Sequence, residues 1–114
     1  MPNYLIQAAY TPEAWAAMAK KPQDRIEAIR PAVEKLGGKV VAGYLAFGEH
    51  DVVAILDMPG NVDAAAFAMA VAAGGACRTV KTTPLMTTKE GMAAMKKAGA
   101  SSYRPATRAA PRRA

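Results

Sequence analysis

The chain has 114 residues, of which 52% are apolar, and it carries a net charge of +6. This length fits one domain, and the apolar fraction excludes a disordered chain. The single cysteine, Cys77, excludes an internal disulfide bond. The first residues lack the basic and apolar regions of a signal peptide, and no stretch reaches the ~20 apolar residues that span a membrane. We therefore expect a soluble cytoplasmic protein.

The positive charge is concentrated at the C-terminal end. Residues 99–114 contain four arginines and no acid, whereas residues 1–98 carry 11 basic and 9 acidic side chains. The sequence predicts a nearly neutral domain at 1–98 and a basic tail at 99–114. The tail either binds an acidic partner or only keeps the chain soluble, and nucleic acid is the less favoured partner because the domain itself is not basic. Its candidate partner-binding residues are Arg104, Arg108, Arg112 and Arg113.

The first half of the chain predicts a strand and two helices. Residues Asn3–Tyr10 alternate as a strand does, and Thr11-Pro12-Glu13 has the N-cap hydroxyl, proline and acid of a helix start. Lys20-Lys21-Pro22 interrupts that helix. A second helix runs to Leu36 on one apolar stripe, and Gly37-Gly38 ends it.

The second half predicts a hairpin, a helix, a strand and a last short helix. The hairpin strands are 39–47 and 51–58, joined by a turn in which we expect Gly48 to adopt a positive φ. A helix at 62–73, capped by Asn61 or Asp63, is built of small apolar residues that allow close packing on a sheet. A strand follows at 76–85, and Thr87 with Glu90 forms a capping-box pattern for a helix to about residue 98.

This order of elements predicts a ferredoxin-like α+β fold with an antiparallel four-stranded sheet. The helices that connect the first strand to the second and the third strand to the fourth should both cover the same face of the sheet. In residues 40–47 and 52–56, however, both alternating faces are apolar. A sheet with one wet face alternates apolar with polar residues. We therefore expect a homo-oligomer in which sheets pack face to face, with a pocket between the sheets or at subunit junctions.

Several short motifs, in order, resemble the GYD family over about residues 2–88. They are Pro22–Arg25, Leu36–Lys39, Tyr44–Asp51, Val52–Ile55, Met58-Pro59 and Cys77–Thr82. The resemblance implies a ferredoxin-like fold of the dimeric α+β barrel group. In the motif Gly48-Glu49-His50-Asp51, His50 stands where the family usually has tyrosine, so a role that needs a phenol is not carried over. Related barrels include cofactor-free monooxygenases, haem enzymes and small-ligand-binding proteins, so the resemblance does not fix an activity.

His50 and Asp51 are the candidate catalytic residues. His50 is the only histidine and suits acid–base chemistry near neutral pH, and Asp51 can orient it or act as a base. The alternatives are an exposed turn histidine and an aspartate that hydrogen-bonds its own turn. The candidate ligand-binding residues are Tyr44, Gly48, His50, Asp51 and Lys81. No metal site is indicated, and the sequence does not identify a cofactor.

Three functions remain open from the sequence. The leading one is an oligomer that binds a small molecule between its sheets. The second is an enzyme resembling the cofactor-free monooxygenases, with His50 and Asp51 acting on an organic substrate. The third is an interaction subunit that docks through its basic tail. The sequence does not decide whether any reaction is catalysed.

Overall fold

The computed structural model describes residues 1–106, and it confirms the predicted ferredoxin-like α+β fold. The first half comprises β1 (Asn3–Tyr10), α1 (Pro12–Lys20), α2 (Arg25–Lys35) and β2 (Lys39–Leu45). The second half comprises β3 (Val52–Asp57), α3 (Asn61–Ala73), β4 (Cys77–Pro84) and α4 (Thr88–Gly99). The four strands form one antiparallel sheet in the order β2-β3-β1-β4.

The helix starts follow the local sequence, with one exception. The Thr11 hydroxyl accepts from the Ala14 N–H, and Thr87 and Glu90 form the expected capping box. The prediction for α3 is wrong, because Gly60 is its N-cap and makes no side-chain cap. The Asn61 side chain instead accepts a hydrogen bond from the Tyr4 hydroxyl at 2.7 Å. The alternative bond is a tertiary contact that the local sequence does not reveal.

The core lies between one face of the sheet and helices α2 and α3. Its members are Tyr4, Ile6, Val33, Val40, Ala54, Leu56, Met58, Ala64 and Phe67. On β1 and β3 these residues alternate, as strand geometry requires. Gly43 allows α2 to approach β2, because a Cβ at this position would lie 2.5 to 2.8 Å from three carbons of Ile26. Helix α2 therefore packs on β2, while α3 packs on β4.

The opposite face of the sheet, here called the open face, is not covered by α2 or α3. Its centre is formed by Leu5 and Gln7 of β1 with Val53 and Ile55 of β3, all of them half-buried. Strand β4 contributes polar residues to it: Thr79, Lys81 and Thr83. The open face is thus apolar over β3 and polar toward β4. The expectation of two apolar faces concerns residues 40–47 and 52–56, which lie in the β2 and β3 part of the sheet.

Helix α4 contains no buried residue, and its Met92 and Met95 side chains are 60% and 70% exposed. It follows the edge strand β4 after a short connection. Among residues 1–106, no helix is long and apolar enough to cross a bilayer.

Candidate ligand-binding cleft

A cleft of about 330 Å³ opens between α2 and α3, with the sheet as its floor. It exists because the two helices pack over opposite edges of the sheet, which leaves a gap above the central strands β1 and β3. The floor is made by Ile6 and Ala8 of β1 and by Val52 and Ala54 of β3.

Small residues on the facing helix surfaces keep this gap unfilled. Helix α2 presents Ala28 and Ala32 to the cleft, and the end of α3 presents Ala70 and Gly74. The sequence analysis expected the small residues of α3 only to allow close packing on the sheet. In the structure they also leave the space toward α2 open. A gap in an apolar core loses dispersion contacts that a bound apolar molecule would restore.

One end of the cleft is polar. Tyr10 at the end of β1, Arg25 at the start of α2 and Cys77 at the start of β4 line it together. Burial raises the pKa of the Tyr10 hydroxyl above its ordinary value of 10.0, and the nearby Arg25 guanidinium opposes this rise. Burial likewise raises the pKa of the Cys77 thiol above 9.0. Both groups are therefore neutral at physiological pH, and among residues 1–106 Arg25 is the only charged residue that lines the cleft.

Asp51 lies at the same end of the domain, but it is held by structural hydrogen bonds. Its carboxylate accepts from the Tyr10 backbone N–H at 2.9 Å and from the Trp15 indole N–H at 3.3 Å. Its own N–H donates to the Ala8 carbonyl at 2.8 Å. Asp51 is only 8% exposed, the one buried polar residue within residues 1–106. The carboxylate thus connects the β2–β3 turn to β1 and α1. The sequence-based alternative was that it hydrogen-bonds the backbone of its own turn.

The structure separates the other predicted ligand-binding residues. Tyr44 and Lys81 belong to one transverse row of the open face, in the order Tyr44, Val53, Gln7, Lys81. They stand at its two ends, three strand spacings or roughly 14 Å apart. They therefore form no common site within one chain.

The predicted turn residues lie in the β2–β3 connection. Gly48 is exposed and does not have the expected positive φ, which among the glycines of residues 1–106 occurs at Gly37 and Gly75. The turn therefore does not require glycine at position 48 for backbone reasons. His50 is half-buried, and neither it nor Gly48 is among the lining residues of the cleft. Their role in binding or catalysis stays a prediction.

The basic tail is described only in part. Arg104 is exposed, whereas Arg108, Arg112 and Arg113 lie outside the described residues. Within residues 1–106, His, Cys, Asp and Glu side chains form no group of three or more that could hold a metal ion.

Sequence reasoning missed the polar end of the cleft. For Arg25 the sequence leaves two interpretations, an anion held near a helix start or an ion pair with a surface acid, and favours the second. For Cys77 it favours packing over a reactive thiol, and it places Tyr10 only on a strand face. The topology offered a usable signal, because in this fold the end of the first strand, the start of the helix that leads into the second strand and the start of the last strand reach the same end of the domain. These three residues stand at those three positions.

The family model for the GYD domain matches residues 4–95 of the chain. No curated protein and no solved structure matches the chain.

Proposed function

The chain belongs to the GYD family, and on that premise we propose that it is a homo-oligomeric protein that binds a small, mainly apolar molecule. The observation that carries the proposal is the cleft between α2 and α3. Its volume of about 330 Å³ lies at the lower end of the ~300 to 1,000 Å³ typical of ligand sites. Apolar walls with a few polar groups at one end are also typical of such sites.

The place of this cleft differs from the sequence-based expectation of a pocket between sheets. Binding in the cleft uses residues of one chain, whereas Tyr44 and Lys81 lie on the other side of the sheet. The proposal therefore assigns two separate tasks to the two faces. The helix side binds the ligand, and the open face binds another subunit.

The residues of the open face support a second copy of this chain as its partner. When two such faces pack about a two-fold axis parallel to the strands, the row Tyr44, Val53, Gln7, Lys81 is reversed in the partner. Lys81 then faces the partner subunit's Tyr44, which is a favourable cation–π arrangement. Val53 faces Gln7 near the centre, so no like charges meet along the row. Tyr44 is 70% exposed in the isolated chain and is available for this contact.

The ligand part of the proposal is tested with a neutral fluorescent probe, N-phenyl-1-naphthylamine, whose emission rises in apolar surroundings. Ala70→Phe places a ring in the cleft and should abolish most of the emission gain. Ala72→Phe is the matched control, because two helix residues are about 200° apart and position 72 is exposed outside the cleft lining. Equal probe binding by both variants, or none by the unaltered protein, would rule out the cleft as the binding site.

An enzyme resembling the cofactor-free monooxygenases remains the second candidate function. It assigns acid–base roles to His50 and Asp51. Its support is weaker, because the Asp51 carboxylate already accepts two hydrogen bonds from β1 and α1. The third candidate, docking through the basic tail, is tested by deleting residues 99–114 and measuring partner capture.

A further inference from the structure

Arg25 is the charged group at the polar end of an otherwise apolar cleft. Its side chain is half-buried. One of its nitrogens, Nη1, donates to the Gln23 amide oxygen at 2.8 Å. A guanidinium group has five N–H donors, so this bond leaves most of its donor capacity unused.

The acidic side chains nearest to Arg25 in sequence are engaged elsewhere. The Asp24 carboxylate caps α2 by accepting from the Ile26 and Glu27 N–H groups. Glu27 forms an ion pair with Arg30 at 2.7 Å. Within residues 1–106, Arg25 therefore makes no salt bridge. A partly buried guanidinium without an internal carboxylate suits an external one.

The groups around Arg25 favour a negative ligand atom. Tyr10 and Cys77 keep their protons at neutral pH, so neither repels an anion. Asp51 is the negative group that acts on both of them. At both side chains, however, the influence of Arg25 is larger than that of Asp51. Arg25 is thus the charge that acts more strongly on the two groups beside it, and the Tyr10 hydroxyl is a second donor beside the guanidinium.

We infer that the cleft binds a molecule with an apolar body and a single carboxylate, and that Arg25 holds the carboxylate at the polar end. This inference rests on the proposed function of the cleft. A dianionic phosphate is a poorer fit, because the lining contains one cation and the N-terminus of α2 is already capped by the Asp24 carboxylate.

The test compares octanoate with 1-octanol, which has the same number of carbon atoms and no charge. Displacement of the bound neutral probe at pH 7.5 gives both affinities. The unaltered protein should bind octanoate roughly ten- to a hundredfold more tightly than octanol, the usual gain from a charge-assisted hydrogen bond. Arg25→Gln should remove that preference and leave octanol binding unchanged, whereas Arg25→Lys should keep part of it. Octanol binding also shows that each variant is folded.

Different outcomes test the carboxylate assignment and the cleft as a binding site separately. If octanol binds as tightly as octanoate, or if Arg25→Gln leaves the preference intact, the carboxylate assignment is wrong while the cleft remains a binding site. The same conclusion follows if the probe binds and neither octyl compound displaces it. If the probe does not bind in an Ala70→Phe-sensitive manner, the proposed function fails and the carboxylate assignment fails with it.

Discussion

The two faces of the sheet belong to the same strands, but their apolar side chains are buried to different extents. On the helix side, Leu56 is fully buried beneath the helices, and a cleft opens between α2 and α3. On the open face, the neighbouring Ile55 is only half-buried. The difference shows that one chain can complete the core on a single side. The partner subunit that we propose would bury the apolar residues on the other side further.

The largest expected difference between the faces is in the cost of deleting an apolar side chain. Leu56→Ala should lower the free energy of unfolding by about 2 to 5 kcal/mol at any protein concentration, since it leaves a cavity in the core. Ile55→Ala should cost about 1 kcal/mol in dilute protein and more in concentrated protein, where we expect the proposed oligomer to form. Urea unfolding at two protein concentrations measures both. Concentration-independent values for Ile55→Ala would contradict a role for the open face in assembly.

The next effect concerns assembly directly. Val53→Lys puts a charge at the centre of the open face and should weaken self-association by roughly a hundredfold, because a buried charge without a partner is costly. Val62→Lys is the control, since Val62 is already 81% exposed at the start of α3. Light scattering coupled to size-exclusion chromatography gives the mass of each. A monomeric mass for the unaltered protein at micromolar concentration would disprove the proposed oligomer.

A smaller effect tests whether Asp51 stabilises the fold or has only a catalytic role. Asp51→Ala leaves the buried Tyr10 N–H without its acceptor and should cost about 1 to 3 kcal/mol. Glu49→Ala, in the exposed turn two residues earlier, should change the free energy of unfolding by less than about 0.5 kcal/mol. Thermal or urea unfolding of both variants gives the comparison. Equal stability would leave Asp51 free for catalysis.

The smallest effect is the pH dependence of stability that comes from Tyr10, on the helix side of the sheet. The folded-state pKa of Tyr10 is raised above 10.0 by burial, so folding favours the neutral hydroxyl. The resulting stability is present below pH 10 and is lost as the pH rises through the folded-state pKa. In a Cys77→Ala background, which removes the other raised pKa of the cleft lining, Tyr10→Phe should flatten the fall in unfolding midpoint above pH 10. An unchanged slope would mean that Tyr10 does not titrate differently on folding.

The sequence by itself determined the order and type of the elements. The alternation of β1, the break at Lys20–Pro22, the caps at Thr11 and Thr87 and the glycines after α2 are signals between residues a few positions apart. Local backbone hydrogen bonding and side-chain periodicity act at that range, so the sequence carries them directly. The same signals gave the ferredoxin-like fold, because the order of elements restricts the possible topologies.

Only the tertiary structure decided where the candidate site lies. The bonds of Asp51 to Tyr10 and Trp15 join residues 41 and 36 positions apart, and the cleft depends on which alanines of two separate helices face each other. Alanine carries no directional signal in a sequence, since it fits a tight contact and the edge of a void equally well. The packing of α2 on β2 and of α3 on β4 determines which alanines make tight contacts and which border the cleft. It also brings Tyr10, Arg25 and Cys77 to one end of the cleft, through contacts that form only when the whole sheet is assembled.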